Sequence, residues 1–405
     1  MKKIFLTLVA VLAATPVHAV TLDQVIEAVR ASHPSIRRAK WDAREAGARR
    51  MVEGWLPDPS VGIEFEQIPK SRASLKNSEM INYSVSQEIP FPGTLVSRSQ
   101  AAGAEYKARK SLVTSAEREE IFKAKETWFK LVATISMIKE KKTVLSHLND
   151  ISSSLQTSFA AGKEAFGGVG MFQMKKGEIE AELLDLNHLK SASESELNLL
   201  MGRPAHEPLV VESVPPIKKL KVPAEELETR LFAQNSELAA YGWMSKKAKK
   251  EASATTLGLV PTLEPEFMFN QRENMEDAYT LKLSMNVPLW LNRNMAEIRG
   301  ARAAYRRSRA EYDQASLTAR TELHNLIHHA TEHYKILGKY KSDILPAARQ
   351  AMKSGMTLFS SGRMPVGEIW LAATGYQEAV QMYWEAWEDY QMEYALLEQM
   401  IGEDL

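Results

Sequence analysis

Ser158-Phe-Ala-Ala-Gly-Lys-Glu-Ala-Phe-Gly-Gly-Val169 and Leu358-Phe-Ser-Ser-Gly-Arg-Met-Pro-Val-Gly-Glu-Ile369 are two versions of one segment. They stand about 200 residues apart, a spacing that marks an internal duplication. Phe159 and Phe359, Gly162 and Gly362, and Gly167 and Gly367 coincide. The correspondence extends outward. Leu200-Met-Gly202 answers Met400-Ile-Gly402; Leu56-Pro57 precedes one candidate strand as Val260-Pro261 precedes another; Pro90 closes a strand in the first copy as Pro288 does in the second. Between the copies, Arg203 to Pro223 holds Pro204, Pro208, Pro215, Pro216 and Pro223, a density no helix tolerates. The chain therefore reads as a first repeat over 20–202, a linker over 203–223 and a second repeat over 224–405.

Each copy reads helix, strand, strand, long helix, turn, helix. Helix formers run from about Thr21 to Leu56, interrupted at His33-Pro34, where a new helix can start. Pro57-Asp58-Pro59 ends that stretch. From Ser60 to Ile68 the pattern alternates, with Val61, Ile63 and Phe65 opposite Gly62, Glu64 and Glu66. Ile81 to Ile89 repeats it, Ile81, Tyr83, Val85 and Ile89 facing Asn82, Ser84, Ser86 and Glu88. In the second copy the strands fall at about 262–271 and 279–287. There Leu263, Phe267 and Phe269 oppose Glu264, Glu266 and Asn270, and Tyr279, Leu281, Leu283, Met285 and Val287 oppose Thr280, Lys282, Ser284 and Asn286. Alternation in pieces of about ten residues, aromatic on the apolar side, suits a transmembrane β-barrel. It suits equally an antiparallel sheet laid on a soluble core. Four strands cannot close a barrel, since about eight are needed, so the membrane reading demands several chains.

Export is written at the start. Lys2 and Lys3 precede an apolar run from Ile4 to Ala14, and Val17-His18-Ala19 fits a signal-peptidase site. Residues 1–19 thus read as a signal peptide; about 11 apolar residues are too few to span a bilayer that needs roughly 20. The chain has no cysteine, which removes disulfides, thiolate metal sites and a lipidated anchor together. Its 51 basic and 51 acidic residues balance, giving no argument for nucleic acid. After the signal no apolar run approaches 18 residues, which leaves no helical span. A closed barrel is the other way to satisfy backbone groups in lipid.

Long helices follow each hairpin. Val96 to Phe159 lacks proline, and Asn294 to Phe359 contains only Pro346. Leu323, Ile327, Ala330, Tyr334, Leu337 and Ile344 step by three, four and seven, a packing stripe. The helix over about 292–360 would be roughly 100 Å long at 1.5 Å per residue. The stretches over about 224–258 and 366–402 are each about half that length. Two half-length helices stacked end to end beside one full-length helix describe a long hollow cylinder.

With these features in place, the chain resembles the TolC-like outer-membrane efflux proteins over its whole mature length. The carriers are the ordered duplication, the turns Glu88-Ile89-Pro90-Phe91-Pro92-Gly93 and Val287-Pro288-Leu289-Trp290-Leu291-Asn292, and the segments around Gly162 and Gly362. Leu56-Pro57-Asp58-Pro59-Ser60 and the compact length look most like the heavy-metal (CzcC/CusC-like) branch, the outer-membrane components of resistance-nodulation-division pumps. The resemblance implies a mainly α fold with a small β part, and a homotrimer whose twelve-stranded β-barrel continues into a long α-helical barrel in the periplasm. It implies seating in outer-membrane lipid, docking on a periplasmic adaptor and an inner-membrane resistance-nodulation-division pump, with no enzyme activity and no cofactor. Gly162, Lys163, Gly362, Arg363 and Glu368 would form the gate and adaptor-docking tip. The family's tip places an acid six positions after the glycine, then an aliphatic residue. Gly362, Glu368 and Ile369 match this pattern, whereas Gly168 replaces the acid of the first copy. Glu64, Glu66, Glu88, Glu264 and Glu266, opposed by Lys282, would line the barrel lumen and favour cations. The same architecture serves type I protein secretion as an exit duct; a soluble periplasmic coiled-coil scaffold is the alternative of a different class.

Other chemistry is sparse. His324, His328, His329 and His333 include pairs spaced by four, yet metal sites need a third ligand, and a packing or solvated role is the simpler expectation. Met352, Met356 and Met364 near the second tip have the softness for copper or silver, but methionine is also a common core filler. No nucleophile with a base, phosphate loop or metal triad is present.

Overall fold

The computed structural model describes residues 19–160, 166–211, 214–273 and 275–405. The first repeat opens with a two-residue strand β1 (Ala19–Val20), then α1 (Leu22–Ser32) and α2 (Pro34–Val52). Thr21 and Gln24 form a reciprocal capping box at the start of α1, and Pro34 occupies the first turn of α2. Strands β2 (Ser60–Glu66) and β3 (Met80–Ser86) lead to α3 (Thr94–Ala160) and α4 (Phe166–Leu200). In the linker, β4 (Val210–Val211) pairs in parallel with β1, which ties the linker to the beginning of the first repeat.

The second repeat follows the same order: α5 (Ala224–Gln234), α6 (Ser236–Leu257), β5 (Leu263–Arg272), β6 (Ala278–Met285), α7 (Leu291–Lys339), α8 (Leu345–Ser360) and α9 (Val366–Ile401). α1 and α5 are each 11 residues long. The break in the first copy is set by Pro34, and that in the second by Asn235, whose side chain caps α6 through Leu238 N at 2.8 Å.

At 67 residues, α3 is about 100 Å long. It packs against α2 and α6 over the part nearest the strands and against α4 and α9 farther away. α7 packs on α6 and α9, and α8 on α9. The short helices thus share the length of the long ones in sequence, as the lengths predict. Two apolar cores result. One surrounds Trp128, Leu131, Leu197, Leu231, Leu323 and Trp387 at mid-length, with Phe129 edge-on to Trp387 at 5.8 Å. The other holds Val144, Leu148, Phe172, Ile179, Ile369 and Tyr376 toward the far end.

The stripe on the second long helix is correct as far as Leu337 and then fails. Leu323, Ala330 and Leu337 are buried, with Ile327 and Tyr334 half-buried, but Ile344 is exposed. The expected single helix is interrupted by a π turn at Tyr340–Ile344, one residue before Pro346. Proline lacks an N–H and crowds the carbonyl four residues back, and a wider turn relieves both. The extra residue shifts the packing face by one, so Leu345, Ala348 and Met352 continue the stripe.

The four strands form one antiparallel sheet in the order β2-β3-β5-β6. Val61, Val85, Phe267 and Leu281 make one cross-strand row, and Ile63, Tyr83, Phe269 and Tyr279 the next. The β3 alternation runs to Ile89, but regular pairing stops at Ser86. Gln87 donates to the Pro265 carbonyl at 3.1 Å, and proline has no N–H to return. The ladder resumes as a single bridge between Ile89 and Leu263. Gly93, at φ +96°, then turns the chain into α3.

Candidate functional site

The sheet has two unlike faces. On one stand Val61, Ile63, Tyr83, Val85, Phe267 and Leu281, all exposed, Leu281 at 81%. Neither apolar core contains a residue of this sheet. Stacking of Phe267 on Tyr279, with ring centroids 5.6 Å apart, knits the apolar face together. The opposite face carries the polar side chains. Asn82 donates to Glu66 at 2.9 Å, Asn270 to Thr280 at 2.7 Å and Ser86 to Glu264 at 3.1 Å. Lys282 is joined to Glu266 at 3.0 Å, so one of these strand acids is already neutralised. Glu64 shares a row with Asn82 and Asn270, while Glu88 lies past the regular end of β3. Strands β2 and β6 stand at the sheet's two edges.

At the far end, α8 closes on Gly362, which has φ +70°. Gly362 N donates to Phe359 O and Arg363 N to Leu358 O, both at 2.9 Å, a Schellman closure that needs the left-handed residue. Pro365 then starts α9, placing Glu368 exposed in its first turn and Ile369 buried. A Cβ at Gly355 would stand 2.9 Å from Ile369 Cδ1, so this glycine lets α8 and α9 approach. Gly162 and Lys163 of the first tip lie outside the described residues, as do residues 1–18 of the signal expectation.

The histidines do not converge. His324 and His328 are exposed, whereas Nδ1 of His329 and of His333 lie 3.5 and 3.4 Å from the Glu393 carboxylate on α9. Among the described residues no group of three potential ligands is assembled. Burial pushes the Glu393 carboxyl up, His333 offsets part of that, and Asp389 adds to it. Glu393 was not singled out by the sequence, because its distance in the chain from the histidines hides the contact. Met352 is buried, and Met356 and Met364 pack beside it in the far core. Among the described residues no helix is long and apolar enough to cross a membrane.

Solved structures give the comparison. The outer membrane protein VceC from Vibrio cholerae matches with a TM-score of 0.81 at 15% identity, over 95% of this chain and 96% of that one. The Campylobacter jejuni outer membrane channel CmeC matches with a TM-score of 0.81 at 12% identity, over 94% and 85%. CusC, whose structures concern folding and transmembrane channel formation, gives 0.81 at 13%, over 94% and 92%. This is the TolC-like outer-membrane channel fold. No protein-family model and no curated protein matches the sequence. The TolC-like fold accounts for the duplicated helices and the small sheet at one end. Identity to CusC does not exceed that to VceC, so the likeness singles out no branch.

Proposed function

We propose that this protein is the outer-membrane channel-tunnel of a tripartite efflux system, a passive exit duct driven by an inner-membrane pump through a periplasmic adaptor. The observation that carries this is the sheet: its apolar face is exposed, and its polar face holds the carboxylates. In a water-soluble scaffold the apolar face would be packed on a core. In lipid the arrangement is the favourable one, provided no backbone edge is left open. Both edges of the four-stranded sheet need a partner, and joining β6 of one copy to β2 of the next is a head-to-tail contact that closes into a ring. Three copies give twelve strands, within the range of known membrane barrels.

In that ring Glu64, Glu66, Glu88, Glu264 and Glu266 face the lumen, with Lys282 held by Glu266. Such a lining favours cations modestly, which fits heavy-metal ions as cargo. The turn at Gly362 and Arg363, with its counterpart at Gly162 and Lys163, is the end that meets the adaptor and closes the tube. The test is reconstitution. Purified protein should require detergent, run as a trimer and conduct in planar bilayers; a soluble monomer without conductance overturns the reading. For cargo, a deletion strain should lose tolerance to zinc, cobalt, copper or silver, and unchanged tolerance removes the metal assignment.

A further inference from the structure

Charge in this chain is balanced overall but unevenly placed. α9 contains no lysine or arginine, whereas the helix ends next to the sheet are rich in both. A cleft of about 550 Å³ lies there between α2, α3 and α6. Arg50, Lys107, Lys246, Lys249 and Lys250 line it, beside Ser99, Gln100 and Trp243, and no acidic side chain does. The ammonium groups of Lys107 and Lys246 sit 4.3 and 4.0 Å from the Trp243 ring centroid. Arg50 lies across α3 at Gly103, where a Cβ would make an ordinary contact with its Nε at 3.6 Å. Lys247, the remaining lysine of the run, pairs with Glu105 at 2.9 Å and takes no part in the lining. Among the described residues none of the five lining cations forms an ion pair. Like charges gathered without a counter-charge repel one another, and an anion bound between them removes that cost.

The position of the cleft selects the anion. The exposed apolar surface does not stop with the strands: Met51 and Val52 at the end of α2, Trp55 and Leu56 just after it, and Leu289, Trp290 and Leu291 at the start of α7 are exposed as well. Tryptophans at such a junction are typical of the membrane–water interface. Along the helix axes the cleft starts where this surface ends. Arg50 lies two residues from the end of α2 and Lys250 seven from the end of α6, roughly 3 and 10 Å along the helix axes. An anion held here together with the neighbouring apolar surface is amphiphilic.

We infer that the cleft seats the phosphate headgroup of an anionic phospholipid from the leaflet facing the helical tube. Arg50 and the lysines hold the phosphodiester, Ser99 and Gln100 offer hydrogen bonds to the glycerol headgroup, and the acyl chains run along the apolar surface. The inference rests on the membrane reading above and adds a lipid preference to it.

The test is lipid retention by the purified protein in neutral detergent, read by native mass spectrometry with phosphatidylglycerol or phosphatidylcholine of identical chains. Phosphatidylglycerol should be retained preferentially, and the preference should fall with salt. Each basic residue near an anionic lipid surface is worth roughly fivefold. The triple variant Lys246→Gln, Lys249→Gln, Lys250→Gln should therefore lose on the order of 100-fold of the preference. Changing Arg302, Arg306 and Arg309 of α7 to Gln, the same loss of charge outside the cleft, should preserve it. Equal retention of the two lipids, a preference insensitive to salt, or equal losses in the two triple variants overturns the inference. Displacement of the lipid by millimolar glycerol 3-phosphate would identify a soluble phosphate ester instead and also overturns it. Conductance measured in parallel separates the two failures. A protein that conducts without lipid preference loses only this inference, while a soluble, non-conducting one loses the membrane reading.

Discussion

The side-chain amide of Asn235 donates to the main-chain oxygen of Met400 at 2.7 Å. The same carboxamide caps α6 by accepting from Leu238 N at 2.8 Å. In the first repeat the Ser32 hydroxyl donates to Met201 O at 2.9 Å. Each repeat therefore ties the end of its last helix to the break after its first, with different chemistry at equivalent places. Asn235→Ala removes both a cap and a half-buried bond. It should cost about 1–2 kcal/mol, read as a lowered melting temperature in detergent. Gly402→Ala should be at least as damaging. Its φ is +87°, and a Cβ would meet the Gln234 oxygen at 2.8 Å. Gly375→Ala, a helical position with nothing within 4 Å, should instead gain about 0.5–1 kcal/mol.

Tyr390 docks the linker. Its hydroxyl donates to the Lys218 carbonyl oxygen, and burial pushes its pKa up to about 12. A folded-state pKa above the ordinary value of 10.0 contributes stability that is complete below pH 10 and is lost as pH rises through 12. Tyr390→Phe should cost about 1 kcal/mol at neutral pH. It should also flatten the loss of stability between pH 10 and 12, which a melting series across that range would read. An unchanged alkaline slope would show that Tyr390 does not control it.

The sequence disclosed the order of elements but not the partners that fix them. The duplication and the period-two alternation located every strand of the sheet, because each face meets a different environment and the pattern records that. The break at Asn235 was less visible than the one at Pro34, since asparagine caps through a hydrogen bond that also depends on Leu238 being three residues on. The π turn before Pro346 was hidden because its effect is geometric: it moves Ile344 off the packed face without changing the local apolar spacing. Glu393 beside His329 and His333, and the basic cleft around Trp243, join residues from separate helices. α6 carries Trp243 and three of the lysines, but only the fold brings Arg50 of α2 and Lys107 of α3 beside them.

Lys125 and Glu398 form a 2.5 Å ion pair between α3 and α9, with side chains 12% and 9% exposed. Glu398 also accepts from Leu405 N at 3.1 Å. Lys125→Met leaves a buried carboxylate without its cation, which should cost about 3–5 kcal/mol. Replacing both, Lys125→Met with Glu398→Gln, should recover most of that, since the uncompensated charge is gone. A double variant as unstable as the single one would show that the lost packing of the Lys125 stem, rather than an uncompensated carboxylate, sets the cost.

Neighbouring residues of β6 separate the two faces of the sheet. Leu281 lies on the apolar face, and Thr280 on the polar one, accepting from Asn270 at 2.7 Å. In a membrane barrel a lysine on the lipid side costs about 2–4 kcal/mol near the midplane, and one on the lumen side tunes selectivity. Leu281→Lys should therefore reduce the amount of assembled trimer in the membrane fraction severalfold. Thr280→Lys should leave assembly intact and lower the preference for cations. Equal tolerance of both substitutions would argue against lipid on either face.

Glu368 divides a local role from a collective one. It is exposed in the first turn of α9, where a carboxylate near a helix N-terminus is worth about 0.3–1 kcal/mol. If that were its whole role, Glu368→Ala would lower stability slightly and leave conduction alone. In the trimer proposed above, three copies of Glu368 converge at the closed end, and the first repeat adds none because Gly168 stands at the matching position. Removing a ring of three carboxylates should weaken block by divalent cations severalfold and raise the conductance of the resting channel, both read from single channels in planar bilayers. The stability change should be the same small one in either case, so conductance is the deciding measurement. Unaltered block and conductance would leave Glu368 as a residue that starts a helix, with closure assigned to the turn at Gly362 and Arg363.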